Sequence, residues 1–517
     1  MKIRTHTRKF IFLFVALSLV CATSRAVELN SLFSDNVVLQ QSKTLPIWGA
    51  GRDGEKIEVK LGKQSATTTV SGGKWSVKLD ALPAGGSLTL IVTGDNTLTV
   101  TNVLIGEVWV CSGQSNMERQ LGPRGGQKPL ENWEQEVAAA NHPQIRMFFV
   151  HRDKSSTPLA DAHGQWVVCS PQTAKDFSAV GYFFAQALHV DLKVPVGMIF
   201  TSVGGTAVEL WTSPDALAKN PAGAELVRKT EQEIREFPEK LAKFKAEEPV
   251  LLEKFTNDLA AAKAAGKTEP RPPSAPRDPS GIRPGCLFNG MVAPLMPYAI
   301  RGVIWYQGES NGGRGKQYRE LFPLMIRDWR SRWQQGDFPF CFVQLATYRA
   351  CDPMIREAQL LTLSRVPNTA MAVTTDVGDA TDIHPTRKKP VGERLALAAR
   401  AIAYGEKIEF SGPLFESSEI NNGKVILHFS HAKGMTAKGG ALTGFVIAGA
   451  DKKFVPADAV IQGETVVVSS PSVSAPVAAR YNWAGVAEGN LYNAAGLPAS
   501  PFRTDVEPDE TKLPIAK

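Results

Sequence analysis

A serine able to act as a nucleophile follows the apolar run in the segment VWVCSGQSN, residues 108–116. The strand-forming residues stop at Ser112, and Ser115 stands between two side-chain amides, Gln114 and Asn116. A serine hydroxyl attacks a carbonyl carbon when a general base removes its proton and hydrogen-bond donors stabilise the oxyanion. A serine in this position also often does no more than cap the next helix. The choice depends on whether the other parts of a catalytic site occur elsewhere in the chain.

Three other segments become polar where an apolar run ends. Because the carboxyl ends of parallel strands meet at one edge of a sheet, polar groups at such ends come together in the fold. Four segments of this kind are far less expected by chance than one, which favours a catalytic Ser115. The three further segments contain Gly204 and Gly205 after residues 196–200, Gln307, Glu309 and Asn311 after residues 302–306, and His384 after residues 369–374.

His384 is the histidine best suited to act as the base. Among the eight histidines, it lies in a polar loop after a predicted strand and has acidic neighbours. His428 falls inside the strand pattern KVILHFS, and His189 lies at the end of a helical pattern. A neutral imidazole accepts a proton near pH 7, which is the task of the base. We therefore predict that Ser115 and His384 act together and that His428 and His189 have structural roles.

Continuous apolar runs separated by helical patterns predict a parallel α/β sheet in the middle of the chain. Strands buried on both faces give such uninterrupted runs, and helices connect them. Helical patterns at residues 179–190 and 317–333 agree with this interpretation. The predicted strands are residues 103–110, 196–200, 302–306, 338–345 and 369–374.

Segments of β character flank this core. The chain has 517 residues, of which 43% are hydrophobic and 21% charged, enough for more than one domain. Short alternating patterns predict an N-terminal β-sandwich at residues 27–102 and a C-terminal β domain at residues 405–517, with the catalytic domain at 103–404. Residues 213–280 carry two apolar stripes of helical spacing separated by Pro249. They predict a helical hairpin packed on the sheet, closed by the Pro-rich segment EPRPPSAPRDPSG.

Residues 1–26 predict a cleaved secretory signal peptide. Basic residues precede an apolar stretch at 10–20, and small residues occupy the cleavage positions around Ala26. A lipoprotein anchor at Cys21 fits less well, because Leu19 and Val20 are bulky where such sites have small residues. We therefore expect a secreted or periplasmic protein without a membrane attachment after cleavage.

The charge balance and the cysteines narrow the function further. Removing the five basic residues of the signal from the 58 Lys and Arg leaves 53 against 51 Asp and Glu, a net charge of +2. No basic field remains that would attract nucleic acid or an anionic membrane. The remaining cysteines are far apart and form no metal-binding pattern, and one disulfide of undefined pairing is compatible with an oxidising compartment. They are Cys111, Cys169, Cys286, Cys341 and Cys351.

The chain resembles the sialate O-acetylesterase family, within the SGNH (GDSL-like) hydrolase superfamily. The resemblance lies in GEVWVCSGQSNME, GGTAVELW, IRGVIWYQGESN and DIHPTRKKPVGERLA, and also in NGMVAPLMPYAIRG and RYNWAGVAEGNLYNAAGLPASPFRTD. It extends from about residue 32 to residue 505. It implies a flavodoxin-like three-layer α/β/α hydrolase core, with Ser115 as nucleophile and His384 as base.

The catalytic acid departs from the pattern of the superfamily. There, the aspartate usually stands three residues before the histidine, where this chain has Thr381. We predict Asp382 as the acid, with Asp376 and then Asp379 as alternatives. A dyad in which a main-chain carbonyl orients His384 is the remaining alternative.

The resemblance also implies an oxyanion hole and a set of substrate contacts. The expected donors are the backbone N–H groups of Ser115 and Gly205 and the side-chain amide of Gln307. Asn311 competes with Gln307, because the superfamily usually has an asparagine in this role. Arg124 is a further candidate contact, and Glu309 is expected mainly to brace its loop. The predicted substrate-binding residues are Gln114, Asn116, Glu309, Asn311 and Arg387.

The function that these residues predict is carbohydrate O-acetylester hydrolysis by a serine mechanism, with no metal or organic cofactor. O-acetylated sialic acid, carrying the ester at position 9, is the first expected substrate, and acetylated xylan, another hemicellulose or another acetylated polysaccharide is the alternative. A different class of function, a non-catalytic glycan-binding protein on a hydrolase scaffold, predicts loss of the nucleophile or the base, and both are present. The sequence indicates no particular oligomeric state.

Overall fold

The computed structural model describes residues 26–506. The predicted signal peptide therefore lies outside the described residues except for Ala26. The N-terminal part has two antiparallel layers: β1, β3 and β6 form one, and β4, β5, β7 and the first half of β8 form the other. Alternate side chains of β4 and β6 are buried between the layers. The strands are β1 (Glu28–Leu29), β2 (Val38–Gln40), β3 (Leu45–Ala50), β4 (Lys56–Leu61), β5 (Gln64–Thr69), β6 (Lys74–Leu79), β7 (Gly85–Thr93) and β8 (Thr97–Gly113).

Strand β8 continues from the N-terminal part into the central sheet. Its first half pairs antiparallel with β7, and its second half pairs parallel with two strands of the core. Asn102, with a φ of 54°, marks the change. The boundary expected after residue 102 thus lies inside one continuous strand, so the two parts are joined by backbone hydrogen bonds rather than by a linker.

The central sheet carries the functional loops. Its strands follow in the order β10, β9, β11, β8, β12, β13, β14, and all but β10 run parallel to their neighbours on this path. Each of the five apolar runs expected to form strands is a strand, so this part of the fold prediction is confirmed. The additional strands are β9 (Ile145–Phe149), β10 (Gln165–Val168), β11 (Val196–Ser202), β12 (Gly302–Tyr306), β13 (Phe340–Gln344) and β14 (Thr369–Val373).

Helices cover both faces of this sheet. Trp109 of β8 contacts Phe184 of α3 at 5.1 Å between ring centroids, and Trp305 of β12 contacts Trp329 of α6 at 5.9 Å. Trp109 pairs with Gly302, three residues before Trp305, so the two tryptophans point to opposite faces. Helix α8 packs beside α3, and α7 packs beside α6. The helices are α1 (Ser115–Glu118), α2 (Trp133–Ala139), α3 (Ala179–Leu192), α4 (Pro214–Lys219), α5 (Pro221–Ala264), α6 (Gly315–Trp333), α7 (Pro353–Arg365) and α8 (Lys389–Tyr404).

The prediction of a helical hairpin at residues 213–280 is wrong. After the short helix α4, the chain forms one helix of 44 residues, α5, which continues through Pro238 and Pro249. Each proline costs roughly 3 kcal/mol, but the Ala, Lys, Glu and Leu around it favour a helix strongly enough to continue it. Gly223 is its one fully buried residue, so α5 does not pack on the sheet. The chain reverses at Gly266 (φ 60°) and returns as the Pro-rich segment.

The C-terminal part has its own hydrophobic core. Gly405, in the left-handed conformation, ends α8, and short antiparallel strands follow. Two four-stranded sheets, in the orders β15-β16-β21-β20 and β19-β18-β22-β24, enclose this core together with the pair β17-β23. The strands are β15 (Leu414–Asn421), β16 (Lys424–Ser430), β17 (Thr436–Ala437), β18 (Phe445–Ala448), β19 (Val455–Pro456), β20 (Asp458–Gln462), β21 (Thr465–Ser469), β22 (Ala478–Tyr481), β23 (Leu491–Tyr492) and β24 (Phe502–Arg503).

Within residues 26–506, the five cysteines are all unpaired, so the disulfide considered from the sequence does not form among them. Cys111 is fully buried, and burial raises its pKa to about 12, in agreement with a packing role. Within the same range, no helix combines the length and the hydropathy needed to cross a membrane.

Candidate active site

A cleft opens at the carboxyl end of β8, between its neighbours β11 and β12. Each of the four polar segments contributes to its lining: Ser115 after β8, Gly205 after β11, Glu309 after β12 and His384 after β14. The strands are parallel here, so their carboxyl ends lie at one edge of the sheet. The parallel arrangement of the strands therefore brings these residues into one cleft, although long connections separate them in sequence.

Gly113 creates the sharp turn that presents Ser115. Its φ of +142° is unfavourable for other residues, and a Cβ at this position would lie 2.1 Å from the backbone oxygen of Tyr306. Helix α1 begins directly afterwards at Ser115, and Gln114 occupies the N-cap position without a side-chain capping bond. Ser115 is therefore not a side-chain cap, and its N–H lies in the first turn, where a helix provides no internal acceptor.

The loop after β11 comes close to the nucleophile. A Cβ at Gly204 would lie 3.3 Å from the Cβ of Ser115, so a larger residue would press against the serine. Gly205 has a φ of +72°, and no atom lies within 4 Å of the position of a Cβ. Gly205 lines the cleft. The expected second oxyanion donor, the backbone N–H of Gly205, thus belongs to a residue that faces the cleft.

His384 has the properties of a base at neutral pH. It is partly buried, and burial, followed by the positive charge of Lys388, lowers the pKa of its imidazole. Asp382 is its nearest carboxylate, with 3.9 Å between Oδ1 and Nδ1 of His384. The same Oδ1 accepts a hydrogen bond of 2.9 Å from the backbone N–H of His384. Asp382 is therefore close enough to act electrostatically, although it makes no direct hydrogen bond to the imidazole.

The two alternative acids have other partners. Asp376 accepts hydrogen bonds of 2.6 and 2.7 Å from Arg394. Asp379 pairs with Lys128 at 2.8 Å and accepts from the hydroxyl and the backbone N–H of Thr381. Both carboxylates are thus occupied away from His384, which favours Asp382 as the acid.

Gln307 does not present its amide to the cleft. Its side chain is fully buried, and its Nε2 donates to the backbone oxygen of Thr206 at 3.2 Å and to Oδ1 of Asn311 at 2.7 Å. Asn311, the alternative, donates from Nδ2 to Glu209 at 3.0 Å. The structure therefore does not support an oxyanion role for either side chain. The same loop instead contributes Glu309 to the cleft.

The predicted substrate-binding residues divide into three groups. Gln114 and Glu309 line the cleft, and Oε1 of Gln114 accepts from the backbone N–H of Ser310 at 3.2 Å. Asn116 and Asn311 are buried, and their amides bind neighbouring protein groups. Arg387 does not line the cleft, because it lies 3.6 Å from Glu131 and donates to the backbone oxygen of Asp376. Its assignment as a substrate contact is therefore not supported.

Two charged residues of the cleft were missed by the sequence analysis, Glu118 and Arg152. The Glu118 side chain is 3% exposed and holds two guanidinium groups, with Arg152 at 2.6 Å and Arg124 at 3.2 Å. Arg152 comes from the loop after β9, a strand that the sequence analysis did not identify. The short apolar run at residues 145–149, which ends in a polar segment, was the available signal.

Within the described part of the chain, no three His, Cys, Asp or Glu side chains form a group able to hold a metal ion. In the cleft, Glu118 pairs with Arg124 and Arg152, and Glu309 accepts a hydrogen bond from the side-chain amide of Asn116.

Comparisons with known proteins identify the family. A model of carbohydrate esterases, described as sialic acid-specific acetylesterase, matches residues 105–243 and 287–401. Mouse sialate O-acetylesterase is 31% identical over 467 residues, which cover 81% of this chain and 82% of that protein. The human sialate O-acetylesterase is 30% identical over 451 residues, covering 78% and 76%. The crystal structure of a carbohydrate acetylesterase from Xanthomonas citri, 37% identical, has a TM-score of 0.78 and covers 93% of this chain and 100% of that chain.

The mixed α/β fold and these matches define a carbohydrate esterase, an enzyme that hydrolyses carboxylic esters. Within that class, the chain belongs to the sialate O-acetylesterase family. The resemblance indicated by the sequence motifs is thereby confirmed. The family match omits residues 244–286, which contain the second half of α5 and the Pro-rich return segment.

Proposed function

We propose that this enzyme removes O-acetyl groups from sialic acids, with Ser115 as nucleophile and His384 as base. Oγ of Ser115 attacks the acetyl carbonyl carbon while His384 accepts the serine proton. His384 then donates this proton to the departing sugar hydroxyl, leaving acetyl-Ser115. Water, activated by His384, attacks the acetyl group, releases acetate and restores the serine. The N–H groups of Ser115 and Gly205 are the proposed donors to the oxyanion.

The observation that carries the choice of substrate is the pair of arginines on Glu118. Arg124 and Arg152 share one carboxylate, so one positive charge remains uncompensated in this cluster. Each guanidinium has five N–H donors, of which the pairing with Glu118 uses only part. A planar guanidinium fixed in this way is suited to bind a carboxylate. Sialic acid carries a carboxylate, whereas acetylated xylan backbones are neutral, so the cluster favours the acidic sugar.

We also propose that the core is a flavodoxin-like SGNH hydrolase domain. Five of its parallel strands, β11, β8, β12, β13 and β14, follow the spatial order 2-1-3-4-5 when numbered along the chain. This is the order of flavodoxin-like sheets, in which ligands bind where the strand connections change direction. The cleft at the end of β8 lies at that position, which supports the proposal.

Export from the cytoplasm completes the proposed function. The basic residues at 2–9, the apolar stretch at 10–20 and the small residues before position 27 support a cleaved signal. Cell fractionation and N-terminal sequencing of the native protein test this point. A cytoplasmic protein with an intact N-terminus would contradict it.

Acetate release from three substrates tests the proposed specificity: an O-acetylated sialoside, acetylated xylan and acetylated mannan. We expect the sialoside to have the highest kcat/KM. Arg152→Met should lower the ratio of kcat/KM for the sialoside over acetylated xylan by roughly tenfold or more, because one charge-assisted contact is lost. Arg283→Met, which removes an exposed guanidinium just after the Pro-rich segment, should leave that ratio unchanged. A wild-type enzyme that prefers acetylated xylan or mannan would favour the polysaccharide alternative instead.

A further inference from the structure

The side chain of Asn116 connects three loops next to the nucleophile. Its Nδ2 donates to Oε1 of Glu309 at 2.5 Å and to the backbone oxygen of Ile383 at 3.0 Å. Its Oδ1 accepts from Nζ of Lys388 at 2.5 Å. Asn116 is 1% exposed. The residue after Ser115 is therefore bound to the residue before His384 through one fully buried amide.

Lys388 is buried at the start of α8. It is 1% exposed, and its Nζ lies 5.4 Å from the ring centroid of Tyr306. Lysine is almost never fully buried without a partner, because removing its charge from water is costly. Burial lowers the pKa of Lys388 to about 7. The carboxylates of Glu309 and Asp382 oppose this shift, whereas the positive charge of Arg119 adds to it. A lysine in such surroundings indicates a role for its Nζ–H donor or for its positive charge.

We propose that Lys388 is a positioning residue for ester hydrolysis, which joins the Ser115 and His384 loops through Asn116 and places a positive charge behind them. Lys388 is not among the residues that line the cleft, so it acts through Asn116 and through its electric field rather than on the substrate. This role rests on the proposed functions of Ser115 and His384.

The charges around His384 determine the direction of the effect. Burial lowers the pKa of His384, and the ammonium of Lys388 lowers it further; Asp382 raises it, and Arg124 and Arg119 lower it. The protonated form of Lys388 is the one that lowers the pKa of His384. Removing the charge of Lys388 raises the pKa of His384. His384 is therefore protonated at a higher pH in the variant than in the wild type.

The pH dependence of Lys388→Met tests this role. Methionine has a similar volume but no charge and no N–H donor. The acid limb of kcat/KM reports the base of the free enzyme, and we expect it to move to higher pH by about half a unit or more. We also expect kcat to fall roughly tenfold, because the two loops lose their shared anchor. The assay is hydrolysis of p-nitrophenyl acetate over the range in which the protein stays folded.

Lys389→Met is the matched control. Lys389 is the next residue of the same helix, but it is exposed and pairs with Glu136 at 2.9 Å, away from the cleft. Its replacement removes the same charge and should leave both kcat and the acid limb unchanged. The melting temperature of Lys388→Met should fall modestly, because the buried Oδ1 of Asn116 loses its donor. Should this variant fail to fold, Lys388→Gln removes the same charge and keeps an N–H group. The acid limb of kcat/KM in Lys388→Gln should also move to higher pH.

A second measurement does not depend on activity. The pKa of His384, followed by NMR in Ser115→Ala, should rise when Lys388→Met is added. An unshifted or lowered pKa overturns the charge role, and an unchanged kcat in Lys388→Met overturns the positioning role. A lower melting temperature of Lys388→Met, together with an unshifted acid limb of kcat/KM, shows that Lys388 is purely structural. Retained esterase activity in Ser115→Ala would instead overturn the proposed function, and the role of Lys388 with it.

Discussion

Replacing Asp382 by asparagine tests how His384 is oriented and charged. In the transition state His384 is positively charged, and a carboxylate beside it stabilises that charge. Oδ1 of Asp382 lies 3.9 Å from Nδ1 of His384 and accepts from the backbone N–H of His384 at 2.9 Å. Asparagine has the same shape and keeps an oxygen for that backbone bond. The variant therefore removes the charge and leaves the loop in place.

The expected loss follows from the distance. Two unit charges 3.9 Å apart attract each other by roughly 4 kcal/mol at an effective dielectric constant of about 20. The Asp382 side chain is 25% exposed, so solvent screens part of this attraction. We expect a loss of about 3 kcal/mol, or roughly 10²-fold in kcat. A triad with a direct carboxylate–imidazole hydrogen bond loses more, about 10⁴-fold.

The pH profile gives a second readout of the same variant. The charge of Asp382 raises the pKa of His384, so Asp382→Asn lowers it. The neutral imidazole then persists to lower pH, and the acid limb of kcat/KM moves downward while the plateau falls. This direction is opposite to that expected for Lys388→Met.

Asp379→Asn is the control, because its carboxylate pairs with Lys128 and Thr381 rather than with His384. We expect a loss of less than about tenfold in kcat. Asp382→Asn with more than about a third of the wild-type kcat would refute the reasoning, and a main-chain carbonyl would then orient His384 in a dyad. A crippled Asp376→Asn with an active Asp382→Asn and an unchanged melting temperature would assign the acid to Asp376.

Three further outcomes are expected. Ser115→Ala should lose on the order of 10⁶ in kcat without a change in melting temperature, and serine-reactive phosphonates should label Ser115; substantial remaining activity would place the nucleophile elsewhere. Dialysis against EDTA should leave the rate unchanged, since a serine nucleophile forms its own acyl-enzyme; loss of activity that zinc restores would contradict this mechanism. Gly113→Ala should destabilise the fold by more than about 2 kcal/mol in denaturant unfolding, because its Cβ would lie 2.1 Å from the oxygen of Tyr306, whereas Gly125→Ala meets no atom within 4 Å and should be nearly neutral.

Five strands of the central sheet were predictable from the chain itself. Strands buried on both faces need uninterrupted apolar runs, and each run identified in this way is a strand of the sheet. The same logic located the functional loops, because carboxyl ends of parallel strands lie at one edge. Ser115, Gly205 and His384 therefore line one cleft although the first and the last are separated by most of the core.

Helix α5 shows where local signals are insufficient. Pro249 is a strong helix-breaking signal in the sequence, yet the helix continues through it. A proline removes one backbone hydrogen bond, and long flanking stretches of favourable helix formers outweigh this cost. The chain reverses instead at Gly266, whose positive φ permits the turn.

The amino-acid sequence by itself determined five strands of the central sheet, the order of the polar loops and the identities of the nucleophile and the base that we propose. Only the tertiary structure decided which polar side chains face the cleft. Lys388 and Lys389 are adjacent and chemically identical, yet the first is buried against Asn116 and the second pairs with Glu136 at the surface. Such partners are hundreds of residues away in sequence, and their choice depends on how helices and loops pack. No local pattern contains that information, because burial and charge pairing arise only when distant segments meet.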